Sequence, residues 1–249
     1  MNNETSPLLD GQSSGSIIEA ARTDKKPRTW LGLLGVVIML SGPMLQVLFG
    51  PWLLSTFGFP MDRFMSLWVM WISAGLALAI SVFGEGIPLA TFGFKISQKT
   101  LRARLIEWIL TVVAAVAVGA VMIFFSTTVR QMLTGEPLPP VDLSRFPAWV
   151  LIPAWFTSML EEVQFRGYPI ERLSMIVKKP WIAGIITCAA FVLQHLFAWD
   201  WIHVLTIVLP GGVLMTVLYL WRRNLAMVVI IHAILNVPLL IAPLVIRFM

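Results

Sequence analysis

The chain has 249 residues, of which 58% are apolar and 12% charged, about half the charge of an ordinary soluble domain. Mean hydropathy is +0.84. This composition excludes a disordered chain, a single-core soluble enzyme and a typical nucleic-acid binder, and the long uncharged stretches point to a polytopic membrane protein. A single cysteine, Cys188, excludes an internal disulfide and a cysteine-based structural zinc site.

Residues 1–29 form the one long polar stretch and read as a disordered cytoplasmic tail carrying Arg22, Lys25, Lys26 and Arg28. Lacking an early apolar h-region, it does not read as a cleavable signal peptide. Seven apolar spans follow. They are Trp30–Leu54, with a break expected at Gly42-Pro43 and an end near Pro51, then Phe64–Phe83, Leu105–Val129, a fourth starting near Phe146, Pro180–Trp199, Trp201–Trp221 and Asn224–Ile246. About 20 helical residues cross a ~30 Å hydrocarbon core. Six spans meet that length unaided. The fourth is uncharged only to Leu160 and must continue through charged residues. An eighth, re-entrant helix around Glu85–Phe94 is the variant of this count. Residues 30–145 then form an N-terminal set of transmembrane helices and 146–249 a C-terminal set holding the site.

Orientation follows from the basic residues. The tail group, the group Lys95, Lys99, Arg102 and Arg104, the group Arg166, Arg172, Lys178 and Lys179, and the pair Arg222 and Arg223 fall on one side. Arg63, Arg130, Arg145 and Arg247 fall on the other, so alternate loops hold 14 and 4. The positive-inside rule makes the N-terminus cytoplasmic, and the spans make the protein an integral, multi-pass membrane protein, in the inner membrane if the source is a bacterium. Tryptophans near span ends read as an interfacial belt, and the scattered methionines as packing filler.

Ionisable and amide side chains inside spans are costly and mark functional sites. Three clusters carry them: Glu161-Glu162-Val163-Gln164-Phe165-Arg166-Gly167, then Phe191 to Gln194-His195, then His232 to Asn236. Glu162 and Arg166 are four apart on a helix and can pair, which leaves Glu161 about 100° away without an obvious partner. Gly167 would let another helix approach, and Tyr168-Pro169 would bend the chain. Gln194 reads as an interhelical hydrogen bonder and His203 as an interfacial bystander. His232 and Asn236 project to one side and can both donate toward one point. A base, a second polar group and convergent donors are the parts of water-mediated acyl hydrolysis. The competing structural readings are a salt-bridged interfacial segment, a satisfied core histidine and interhelical polar glue.

These clusters resemble the motifs of the CPBP family of intramembrane endopeptidases (Abi, CAAX protease and bacteriocin-processing), which includes the type II CAAX prenyl endopeptidases. The family pattern is Glu-Glu-x-x-x-Arg, Phe-x-x-x-His and His-x-x-x-Asn, matched here by Glu161, Glu162 and Arg166, by Phe191 and His195, and by His232 and Asn236. The resemblance covers about residues 146–240. It implies an all-α transmembrane bundle that cleaves a peptide or protein substrate in the membrane, of prenylated CAAX type or leader type. By this resemblance Glu161 activates a water and His195 orients it. His232 and Asn236 stabilise the oxyanion, while Glu162 and Arg166 support the site.

The sequence lacks the His-Glu-x-x-His of zinc site-2 proteases and the paired intramembrane aspartates of aspartyl types. Cys188 and His195 are seven residues apart, about 10 Å along a helix, too far for a thiolate–imidazole pair. The favoured reading uses no cofactor. A zinc-dependent version through Glu161, His195 and His232 is the metalloendopeptidase alternative. A transporter with an intramembrane polar site and a non-catalytic scaffold or immunity protein are the others. Counted from span ends, His195 and His232 sit at different depths and converge only if helices tilt.

Overall fold

The computed structural model describes residues 29–57, 63–87, 89–92, 100–136, 148–197 and 199–237. The tail 1–29 lies outside them but for its last residue, as do residues 93–99 and 137–147 and the part of the expected seventh span from 238 to 246. Among the described residues every regular element is helical. The elements are α1 (Thr29–Phe57), α2 (Arg63–Ala79) running into a π-turn (Ile80–Gly84), a 3₁₀ turn (Leu89–Phe92), α3 (Leu101–Thr134), α4 (Ala148–Glu162), a π-turn (Val163–Gly167), α5 (Tyr168–Val177), α6 (Pro180–His195), α7 (Trp201–His203), a π-turn (Val204–Val208), α8 (Leu209–Arg222) and α9 (Leu225–Leu235).

These elements join into seven rods, 29–57, 63–84, 101–134, 148–177, 180–195, 201–222 and 225–235. Two of them, Leu101–Thr134 and Trp201–Arg222, are long and apolar enough to cross a membrane on their own. The expected break at Gly42-Pro43 is absent: α1 runs on to Phe57, past the end expected near Pro51. Where an eighth helix was considered, the described residues hold a single 3₁₀ turn, Leu89–Phe92, too short to span.

Two proline-linked π-turns explain why the fourth and sixth rods continue through irregular sequence. Pro169 and Pro210 lack the N–H that an α-helix would need at their positions. In each rod the residue just before proline instead donates five residues back, Tyr168 N to Val163 O and Leu209 N to Val204 O. The inserted residue absorbs the missing bond while the rod stays continuous.

Helix α3 shows how a rod with mostly exposed apolar side chains is anchored. Its buried residues are Thr111, Ala115, Gly119 and Ser126, a stripe of small side chains. Such a stripe permits close helix approach where lipid supplies no net hydrophobic drive. A Cβ on Gly119 would stand 2.7 Å from Leu235 of α9. Ser126 Oγ and Thr206 Oγ1 share a buried hydrogen bond of 2.7 Å, joining α3 to the second proline-linked π-turn. The opposite face of α3 exposes Ile109, Val113, Val121 and Phe124.

The core closes around the rod 148–177. Tyr168 packs with Val36, Met39, Ala74 and Phe92; Phe165 packs with Phe191, Val204 and Val208; and Ile170 packs with Ala183, Tyr219, Leu225 and Ile231. The Glu-Glu-x-x-x-Arg cluster therefore sits on a rod that packs against α1, α2, α6, α8 and α9.

Candidate active site

The π-turn 163–167 is fixed from several sides. Gln164 Nε2 donates to Ser73 Oγ at 2.8 Å and to Met39 O at 3.3 Å, holding the turn to α2 and α1. Gly167 accepts close approach: a Cβ there would stand 2.7 Å from Leu225, at the start of α9. This is the helix approach that Gly167 suggested in the sequence.

At the centre lies a buried charge cluster. Glu162 and Arg166 are 0% exposed, and Arg166 Nη1 donates to Glu162 Oε1 at 3.0 Å. Arg166 Nη2 also donates to Gly212 O at 3.3 Å, and its guanidinium lies 4.3 Å from the Phe191 ring centroid. These contacts spread the cost of burying an ion pair over a hydrogen bond and an aromatic face.

The same Oε1 of Glu162 takes His232 Nδ1 at 2.6 Å. The carboxylate is the acceptor, so Nδ1 carries the proton and Nε2 is the nitrogen left for other partners. Glu162 Oε2 is buried with no hydrogen-bond donor. Glu161 is partly buried and makes no hydrogen bond or ion pair with the described residues. The two neighbouring carboxylates are thus sharply different: one locked between a guanidinium and an imidazole, the other uncommitted.

His195 is the last residue of α6. Its Nδ1 lies 2.7 Å from Phe191 O one turn back, and its ring is 4.4 Å from the Phe191 ring. The Phe191 ring also meets Arg166, so His195 joins the charge cluster through one aromatic intermediary. The structure records no direct hydrogen bond from His195 to Glu161 or to His232. Nor do three or more His, Cys, Asp or Glu side chains group closely enough for a metal ion among the described residues. Asn236 caps α9, its backbone N–H donating to His232 O at 3.0 Å. It sits one turn beyond His232, as the four-residue spacing requires.

Several contributors are not evident in the linear motif. Trp155 Nε1 donates to Ala233 O at 2.9 Å, fixing the helix of His232 against α4. Trp155 lies seven residues, about two turns, before Glu162, so its placement on the same face was legible from helical spacing. The Gly212 carbonyl carries no such sequence signal, because any residue supplies a carbonyl. Gly212 itself has one physical reason: a Cβ there would stand 3.0 Å from the Phe191 ring. Gln194 does not act as the expected interhelical bonder through its carbonyl, since Oε1 is buried without a donor. His203 is more engaged than a bystander: its ring stacks on Trp199 at 4.5 Å, and its N–H is capped by Asp200 at 3.1 Å.

Residues 143–238 match the family model described as Type II CAAX prenyl endopeptidase Rce1-like. That stretch contains Glu161, Glu162, Arg166, His195, His232 and Asn236. No curated protein and no solved structure matches the chain.

Proposed function

We propose, on the premise that this chain belongs through residues 143–238 to the type II CAAX prenyl endopeptidase family, that it is a multi-pass intramembrane endopeptidase of the glutamate type. Its substrate is a membrane-associated peptide or protein with a prenylated CAAX-type or leader-type sequence. The observation that supports this most is the unequal environment of the two adjacent carboxylates. Glu162 is committed to Arg166 and His232, so Glu161 is the carboxylate left to take a proton from water.

In this reading Glu161 removes a proton from a water whose oxygen attacks the scissile carbonyl carbon. His195, with Nδ1 engaged by Phe191 O, presents Nε2 to orient that water. The resulting oxyanion is stabilised by donors from His232 and Asn236; as it collapses, the C–N bond breaks and the proton held on Glu161 passes to the leaving nitrogen. A neutral His232 with its proton on Nδ1 has no donor on Nε2, so the oxyanion role uses the imidazolium. Two carboxylates against the single guanidinium of Arg166 supply the negative charge that such a cation balances. Glu162 and Arg166 act as positioning residues, not as reacting groups. The proposed pathway needs no cofactor and no metal. The seven-span, N-terminus-in topology with 14 basic residues on the cytoplasmic side belongs to the same proposal.

The test is cleavage of a prenylated CAAX peptide and of a leader-type peptide by the purified protein in lipid nanodiscs. Wild type cleaves at least one, whereas Glu161→Ala and His195→Ala fold normally and lose activity by at least about 100-fold, the lower end for a general acid–base group. Activity that survives a strong chelator supports the metal-free pathway; loss restored by zinc replaces it with the zinc version. A fully active Glu161→Ala variant removes the proposal.

A further inference from the structure

Away from the charge cluster, α3 and α8 form a wedge. They meet where a Cβ on Gly211 would stand 3.4 Å from Met122 Cε. Toward the N-terminal end of α3 they separate, and the gap forms an open slot of about 330 Å³. Its walls include Leu110, Ala114 and Val118 of α3 with Leu214 and Leu218 of α8. None of Glu161, Glu162, His195 and His232 lines it.

The wide end is chemically different from the walls. Arg222 lies there, paired with Glu107 across the gap, and its guanidinium stacks 3.7 Å from the ring centroid of Trp221. Trp221 is 65% exposed, as an interfacial anchor would be. Arg104 shares the stripe of α3 that carries Thr111 and Val118, two residues of the cavity wall at seven-residue spacing. It therefore projects beside the mouth, one turn before Glu107. The Nε atoms of Arg104 and Arg222 are both buried without an acceptor. Arg223, the next cation, is taken by Glu171 at 2.8 Å. Among the described residues at the mouth of this apolar slot, the two guanidiniums of Arg104 and Arg222 outnumber the one carboxylate, Glu107.

We infer that this wedge binds an anionic phospholipid, with one acyl chain between α3 and α8 and the headgroup phosphate on Arg104 and Arg222. A phosphodiester supplies a negative charge and acceptor oxygens of the kind that guanidinium groups bind. Basic pockets between helices at a membrane surface recognise anionic headgroups by this chemistry. The apolar walls select a hydrocarbon chain over a free phosphate. The site is separate from the proposed hydrolytic centre and stands whether or not the chain is a protease.

The experiment is native mass spectrometry of the full chain released from nanodiscs of equal phosphatidylglycerol and phosphatidylcholine. Wild type retains phosphatidylglycerol over phosphatidylcholine. Arg104→Gln reduces that preference about tenfold, the factor expected for one lost charged hydrogen bond, without lowering total lipid retained. Ala114→Trp, at an exposed position of the wall, fills the slot and lowers retention of both lipids. Equal retention of the two lipids by wild type overturns the inference, as does a preference unchanged in Arg104→Gln or a lipid retention unchanged in Ala114→Trp. Displacement of phosphatidylglycerol by equimolar farnesol assigns the wedge to an isoprenoid and also overturns it.

Discussion

Replacing Arg166 with methionine tests the buried charge cluster most directly. The substitution keeps much of the side-chain volume but removes the 3.0 Å bond to Glu162, the 3.3 Å bond to Gly212 O and the cation over Phe191. The dominant cost is electrostatic. Glu162 is 0% exposed and would remain charged with only His232 beside it. Breaking one partner of a fully buried pair costs about 3–5 kcal/mol, and the lost carbonyl bond adds about 1 kcal/mol. If the cost comes from an uncompensated Glu162, neutralising that residue as well must recover most of it. The double variant Arg166→Met/Glu162→Gln is therefore expected to be more stable than Arg166→Met alone by about 2 kcal/mol or more. Glutamine keeps an acceptor for His232 Nδ1, so the imidazole contact survives. Reversible unfolding of the purified protein in mixed micelles, followed by tryptophan fluorescence, completes the double-mutant cycle. Additive losses, with the double variant weaker than either single variant, would refute the reasoning. So would an Arg166→Met cost below about 1 kcal/mol, the scale of an exposed pair.

Gly35→Ala is expected to destabilise by at least about 1–3 kcal/mol through overpacking, because the new Cβ would run into the Tyr168 hydroxyl and stand 2.7 Å from its ring. Gly75→Ala on the adjacent α2 meets nothing within 4 Å. It should stabilise by up to about 1 kcal/mol through helix propensity, and thermal unfolding of both variants checks the pair. Trp155→Phe removes the bond to Ala233 O and should lower kcat of peptide cleavage by loosening the helix that carries His232; a normal kcat would remove Trp155 from the site. At the loop after α6, Asp200 accepts Arg130 at 3.0 Å through both oxygens. Burial pushes its carboxyl up, but the His203 backbone N–H and the Arg130 guanidinium outweigh that and hold it below the ordinary range. A depressed folded-state pKa contributes stability that is present above the unfolded value near 3.8 and is lost as pH falls through the folded value. With Asp200 41% exposed the contribution is below about 1 kcal/mol. Asp200→Asn should flatten the acid side of a stability profile, and an unchanged slope would contradict this.

Hydropathy and charge placement by themselves determine where the seven rods lie, because an apolar run of about 20 residues has one economical conformation in lipid, the helix. Residue spacing likewise determines the Glu162–Arg166 pair, a local i to i+4 contact. It also leaves Glu161 uncommitted and places His232 and Asn236 one turn apart. The break expected at Gly42-Pro43 shows the limit of local reading. A proline in a long helix costs one hydrogen bond, and tertiary packing of α1 on α2 and on the 148–177 rod decides whether the helix stops. The contacts that set the site's chemistry are of that nonlocal kind. The bond between His232 and Glu162 spans 70 positions of sequence. The π-turn at 163–167 is held by Ser73 and Met39 from distant helices, and Arg166 ends on the carbonyl of Gly212. A linear pattern shows which polar groups enter the membrane. Only the packing of helices against one another decides which oxygen each proton meets, because that depends on rotations and offsets of a few ångströms that no spacing rule encodes.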